Sequence, residues 1–150
     1  MITADHIFCN LRASSKKQVF QAIAHEIAPT FKMKEEDLVT ALLERERIGS
    51  TGIGCGVAIP HIKIEGAKRM YAILARLDQP IDFDAIDERP VDIIFMLIAP
   101  ADSKTTQHLK MLAMISRFLK DENTCLSIRN AGEREKIITL LSDWVKSQAA

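Results

Sequence analysis

Apolar residues recur along this chain with two different periods. From Lys16 to Ala28, Val19, Phe20, Ile23 and Ile27 stand three and four positions apart, the spacing of one face of an α-helix. Ser14 or Ser15 can cap its start, and Pro29, which lacks an N–H, is expected to stop it. A second helical pattern covers Glu35 to Arg47, with Leu38, Val39, Leu42 and Leu43 on one face. Glu35, Glu36 and Asp37 fill its first turn, where carboxylates favour the helix dipole, and Gly49 is expected to end it.

After residue 56 the helical period disappears. "GVAIP", Met70 to Leu77 and Val91 to Ala99 read as strands, the last so continuously apolar that it should be central and covered on both faces. Pro80, Pro90 and Pro100 are expected in the gaps between elements. The helical period then returns. Asp102 or Ser103 can cap a helix carrying Leu109, Leu112, Ile115, Phe118 and Leu119, followed by a short helix near Glu122 to Arg129 and a last one from Glu133 to Lys146. Helices, strands, then helices, with no internal repeat or linker, predict a single α/β domain over residues 1–150 whose sheet has helices on both faces. The order of the strands is not readable from this pattern.

Composition narrows the classes of function. At 150 residues and 47% hydrophobic, the chain can bury one proper core. Its 20 Lys and Arg balance its 20 Asp and Glu, so bulk charge predicts no binding to nucleic acid or to an anionic membrane. The first twenty residues lack a signal-like apolar stretch, and the longest apolar run, Ile93 to Ala101, is too short to span a bilayer; a soluble cytoplasmic protein is expected. Cys9, Cys55 and Cys125 are widely spaced and odd in number, which argues against both a disulfide framework and a zinc site.

The stretch from Arg45 to His61, "RERIGSTGIGCGVAIPH", holds four of the six glycines. It is not a P-loop, because no Lys-Ser or Lys-Thr follows Gly54 to reach the outer phosphates and magnesium. A dinucleotide fingerprint follows a strand and opens a helix, whereas this run follows a helix and opens a strand. His6, His25 and His108 form no ligand pattern with His61, and no base stands beside Cys55 in sequence to make it a nucleophile. What remains is a loop whose glycines permit sharp bends, close backbone approach, or exposed amides that bind an anion; the hydroxyls of Ser50 and Thr51 either join those donors or serve as turn residues.

His61 follows Pro60, which interrupts ladder pairing, so the histidine is expected at a strand end beside a loop. An imidazole with one nitrogen fixed by a partner leaves the other as a nucleophile at neutral pH. Histidine suits reversible phosphoryl transfer, since the P–N bond it forms stays reactive enough to pass the group on.

With "PVDIIFMLIAPAD" and "HLKML", the glycine stretch resembles the EIIA domain of the phosphotransferase system, of the fructose and mannitol type, and more narrowly its nitrogen-regulatory branch. The resemblance covers essentially the whole chain. It implies the type-2 EIIA fold, a mixed sheet flanked by α-helices. It also implies that His61 accepts a phosphoryl group at Nε2 from an HPr-like carrier, called NPr in the nitrogen branch, which is charged upstream by EI. Arg45 matches the arginine beside the phosphoacceptor and would stabilise the phosphoryl oxygens; His108 matches a second, supporting histidine. Ser50, Thr51, Gly52, Gly54 and Gly56 form the supporting loop. Read without the resemblance, Arg45 is equally a solvated helix charge, easily confused with Arg47, and His108 a surface residue of an amphipathic helix.

No cofactor, nucleotide or metal is implied. The role implied is that of a phosphotransferase component that forms a phosphohistidine and mainly regulates protein targets the sequence does not identify. The alternative is a sugar-specific EIIA that passes the group to a separate EIIB. Ile53, Ile62 and Ile64 are candidates for an apolar ring around His61 where the carrier docks, or else for core, and Ile62 stands where many relatives carry glycine.

Overall fold

Two long antiparallel strands, β5 (Tyr71–Ile81) and β6 (Val91–Pro100), form the spine of a mixed sheet in the computed structural model, which describes residues 6–149. The single-domain expectation over 1–150 thus extends at both ends beyond the described residues. β1 (His6–Leu11) lies parallel to β5 on one side. On the other, β3 (Val57–Ala58) and β4 (His61–Ile64) run one after the other along β6, both parallel to it. β2 (Gly52–Gly54) folds back antiparallel on β3.

Alternation along β6 builds two cores. Ile94, Met96 and Ile98 face α1 (Lys16–Phe31) and α2 (Glu35–Ile48), packing with Phe20, Ile23, Leu38 and Leu42. Ile93, Phe95 and Leu97 point the other way, toward α3 (Thr105–Lys120), α4 (Glu122–Asn130) and α5 (Arg134–Ala149), meeting Ile115, Phe118, Ile128 and Ile137. A strand with helices over both faces must be apolar at consecutive positions, which is why Val91–Ala99 carries no alternation. The helices-on-both-faces expectation therefore holds.

Several boundaries differ from the sequence reading. α1 does not stop at Pro29 but continues to Phe31: Pro29 is exposed, so the hydrogen bond it forgoes is left to water, while Phe31 stacks on Tyr71 with ring centroids 3.9 Å apart. Lys32 ends the helix in a left-handed conformation, φ 55°. Gly49 does follow α2, but in extended backbone, φ 173°, so the stop needs no glycine. Pro80 and Pro100 lie within the ends of β5 and β6 rather than in gaps, Pro80 at a break in register where no ladder N–H is required. α3 begins later than expected, at Thr105 after Lys104, and Ser103 instead donates its hydroxyl to the Pro100 carbonyl. β1, β2 and β4 went unread because each is short and lies at an edge, with little alternation to show it.

No described helix is long and apolar enough to cross a membrane. All three cysteines are free thiols, Cys125 buried and Cys55 exposed.

Candidate functional site

The site is built where β4 begins. Pro60 offers β6 only a carbonyl, which accepts from the Leu97 N–H at 2.8 Å, and ladder pairing resumes with His61 opposite Leu97. The His61 ring turns back on its own backbone, with Nδ1 2.8 Å from the Ile59 carbonyl oxygen. A carbonyl can only accept, so Nδ1 carries the proton and Nε2 holds the lone pair. Burial pushes the His61 pKa below its usual value; the Ile59 bond and Glu46 pull it up, and Arg45 adds to the lowering. The ring is therefore neutral at pH 7 with Nε2 nucleophilic.

A cleft of about 400 Å³ brings His61 together with Arg45, Ile48, Lys63 and His108. Arg45, in the last turn of α2, donates Nη1 to the Gly49 carbonyl at 2.8 Å, which holds its guanidinium on the cleft wall. Arg47, two positions on, is exposed and pairs with Glu44 at 2.6 Å. Both arginines line the cleft, and what distinguishes them is their partners, Glu44 for Arg47 and the Gly49 carbonyl for Arg45.

His108 arrives from the first turn of α3. It is only 7% exposed, not the surface residue its helical pattern suggests, and its ring centroid lies 5.5 Å from that of His61 with the planes at 60°. Its Nδ1 is buried without a hydrogen-bond partner. Burial, then the neighbouring His61 and Lys63, lower its pKa, so it too is neutral.

The glycine loop divides into two parts with different work. Ser50 donates its hydroxyl to the Phe83 carbonyl at 2.7 Å and accepts from the Gly52 N–H; Thr51 donates both N–H and O–H to the Glu46 carboxylate. Those donors are engaged within the protein. Gly52 sits against Ala85, where an added Cβ would come within 2.8 Å of the Ala85 Cβ. Gly54 starts a tight hairpin in which Cys55 and Gly56 both have positive φ, 58° and 82°, as a two-residue type I′ turn demands. The hairpin tip is tied to Asp87 through the Cys55 N–H at 2.9 Å and to Arg129 through the Cys55 carbonyl at 3.0 Å. Gly54 and Gly56 thus shape the far end of the β3 track, away from the cleft.

Of the three isoleucines that the sequence leaves between a ring around His61 and the core, Ile62 is buried and Ile64 partly buried in the α1–α2 core, on the strand face opposite His61 and Lys63. Ile53 is 44% exposed on β2. The exposed apolar residue on the cleft wall is instead Ile48, 83% exposed at the end of α2. Sequence reasoning also missed Lys63 and Glu46. Lys63, two residues after His61 on a strand, shares its face, and its Nζ bonds the Ser103 carbonyl at 3.1 Å and Thr105 Oγ1 at 3.3 Å. Glu46, inside a run of alternating charges, is buried. Among the described residues, no group of three His, Cys, Asp or Glu is placed to hold a metal ion.

Comparison with known proteins identifies the family and the fold. The family model for the phosphoenolpyruvate-dependent sugar phosphotransferase system, EIIA 2, matches residues 1–144. A nitrogen regulatory protein of Bradyrhizobium diazoefficiens is 37% identical over 142 residues, spanning 95% of this chain and 92% of its own length. A fructose-specific EIIA component of Haloferax volcanii is 35% identical over 106 residues, 71% of this chain and 68% of its own. The crystal structure of nitrogen regulatory protein IIA-Ntr from Neisseria meningitidis superposes with a TM-score of 0.84 at 29% identity, covering 91% of this chain and 92% of that one. A matching sheet, helices on both faces and full-length similarity agree: the chain belongs to the EIIA 2 family of the phosphoenolpyruvate-dependent sugar phosphotransferase system.

Proposed function

We propose that this protein is a phosphoryl-accepting regulator of the nitrogen-type phosphotransferase system, with His61 as the residue reversibly phosphorylated. The observation that carries this reading is the Nδ1 bond to the Ile59 carbonyl, which leaves Nε2 as the nucleophile in a cleft shared with Arg45 and His108. EI, charged from phosphoenolpyruvate, passes the phosphoryl group to an HPr-like carrier (NPr), and the carrier's phosphohistidine donates it to His61. In the transfer the carrier's P–N bond breaks and its electron pair returns to the donor nitrogen. A new P–N bond forms to Nε2, while the proton stays on Nδ1, donated to the Ile59 carbonyl. Arg45 faces the phosphoryl oxygens as charge develops, and His108, once protonated, donates to them. No cofactor or metal enters the step.

The carrier docks on the cleft rim, where exposed Ile48 gives an apolar contact and Arg45, Arg47 and Lys63 give a positive edge. Phosphorylation places about two negative charges on that edge, which changes the protein targets it accepts. The nearly full-length similarity to nitrogen regulatory proteins favours this regulatory role. The similarity to a fructose-specific EIIA component supports a second reading, in which phospho-His61 passes its group to a separate EIIB.

One transfer experiment addresses both. The protein is charged with phosphoenolpyruvate, EI and NPr, then mixed with a fructose-type EIIB domain. Retention of the phosphate on this chain supports the regulator, fast loss to EIIB supports the transport component, and failure to charge at all removes both.

A further inference from the structure

We propose that Glu46 is the positioning residue for His61, setting the ring's seat and tautomer through Thr51 and Ile59; the inference rests on His61 being the phosphoacceptor. Glu46 stands beside Arg45 in sequence, in the same last turn of α2, but turns inward where Arg45 turns to the cleft. Its side chain is 4% exposed. A carboxylate so deeply buried is retained only if its charge and lone pairs are matched. Lys16, the first residue of α1, supplies the charge, with Nζ 2.9 Å from Oε2 and itself only 17% exposed; the same ammonium lies 4.7 Å from the centre of the Phe83 ring. Thr51 fills the rest of the carboxylate, its N–H 3.2 Å from Oε1 and its hydroxyl bonded to the same oxygen.

From there a continuous path leads to the reactive ring. The Thr51 carbonyl accepts the Ile59 N–H at 2.9 Å, and the Ile59 carbonyl holds His61 Nδ1 at 2.8 Å. With its N–H fixed on one side and the restricted φ of Pro60 on the other, the Ile59 carbonyl cannot swing away from the ring. Glu46 thereby determines, three hydrogen bonds away, which nitrogen of His61 carries the proton.

The same carboxylate acts through space. When Nε2 gives its lone pair to phosphorus, positive charge develops on the imidazole, and Glu46 is the anion that favours it. The other charged or titratable groups lining the cleft are Arg45, Arg47 and Glu44 from α2, Lys63 from β4 and His108 from α3, and the one carboxylate among them, Glu44, is engaged by Arg47 at 2.6 Å. Adjacent residues of one helical turn thus divide the reaction: Arg45 serves the phosphoryl oxygens and Glu46 the ring.

The test is ¹⁵N NMR of the full chain with labelled histidine, with phosphorylation rates measured in parallel. In the wild type, His61 above its titration midpoint should be a single Nδ1–H tautomer; an Nε2–H tautomer or a freely exchanging ring overturns the inference without any variant. Thr51→Val, which keeps the side-chain shape but loses the hydroxyl, should mix the tautomers and slow phosphorylation roughly tenfold. Thr51→Ser should restore most of that loss. Glu46→Gln should lower the His61 titration midpoint as well. Folded Thr51→Val and Glu46→Gln proteins with wild-type tautomer, midpoint and rate would overturn the proposal. Tautomer and midpoint are read on unphosphorylated protein, so a chain that is never labelled by the carrier sinks the functional reading while the positioning role is still decided.

Discussion

His61 and Ile59 are joined across a single intervening proline: the ring Nδ1 of one stands 2.8 Å from the carbonyl oxygen of the other. Pro60 makes this geometry possible by ending one stretch of ladder pairing while its fixed φ turns the next side chain back. The consequence is chemical, because a ring that donates at Nδ1 must react at Nε2.

Arg45 should matter to rate far more than to stability. Arg45→Ala removes a cation from the cleft and one hydrogen bond to an exposed carbonyl, that of Gly49. Phosphorylation should slow by roughly a hundredfold, as for loss of one preorganised donor to a charged transition state. Unfolding free energy should fall by no more than about 1 kcal/mol. A thermal melt and a labelling time course separate the two effects, and a large loss of stability with little change in rate would return Arg45 to the role of a structural cap.

The histidine pair makes stability depend on pH in a defined direction. Both His61 and His108 have folded-state pKa values below the 6.5 of an ordinary imidazole, chiefly because burial disfavours the cation. Between each folded-state pKa and 6.5 the unfolded chain therefore binds more protons. Stability should be fullest above pH 6.5 and fall as pH drops through the folded-state values. Urea unfolding at a series of pH values, in wild type and His108→Gln, should show a smaller acid loss in the variant. An unchanged acid slope would contradict this account.

His108 should also change state with phosphorylation. Its neighbour His61 now lowers its pKa, and replacing that neutral ring by a phosphoryl dianion reverses the sign of the local field. The His108 titration midpoint should rise on phosphorylation, turning the ring into a charged donor. Histidine NMR of the charged and uncharged protein measures this, and a midpoint that stays or falls would remove His108 from the stabilisation of the phosphoryl group.

The loop glycines should differ sharply in tolerance. Gly52→Ala forces a Cβ to 2.8 Å from that of Ala85, and should destabilise by about 1–3 kcal/mol. Gly56→Ala meets Arg129 Nη2 at 2.6 Å at a φ of 82°, and should also loosen the Arg129–Asp92 ion pair. Gly49→Ala, in extended backbone with nothing within 4 Å, should be nearly neutral. Chemical denaturation of the three variants gives the ranking directly.

These residues show which features were legible in the sequence. Long periodic segments were: β6 reads as central because two helical layers require apolar side chains on both its faces, and the amphipathic stripes of α1 and α3 follow from one-sided burial. Short edge strands were not, since β2 is three residues of glycine and isoleucine whose pairing with β3 depends on a turn rather than a pattern. At the site, Pro60-His61 announced itself by composition. Glu46 did not, because burial of one charge within the "ERER" run depends on Lys16 arriving from another helix, a contact that no local spacing encodes. Ile62 was open to either the rim around His61 or the core for the complementary reason: it neighbours His61 in sequence, but strand alternation sends it to the other face.

The most direct test of the account is to place the phosphate. The wild-type chain and His61→Ala are each incubated with phosphoenolpyruvate, EI and NPr, and the modified residue is identified by mass spectrometry under neutral conditions, with ³¹P–¹⁵N NMR to assign the nitrogen. The account predicts one acid-labile phosphate on Nε2 of His61 and none on the variant. An unlabelled wild type, a phosphate on Nδ1 or on His108, or undiminished labelling of His61→Ala would contradict it.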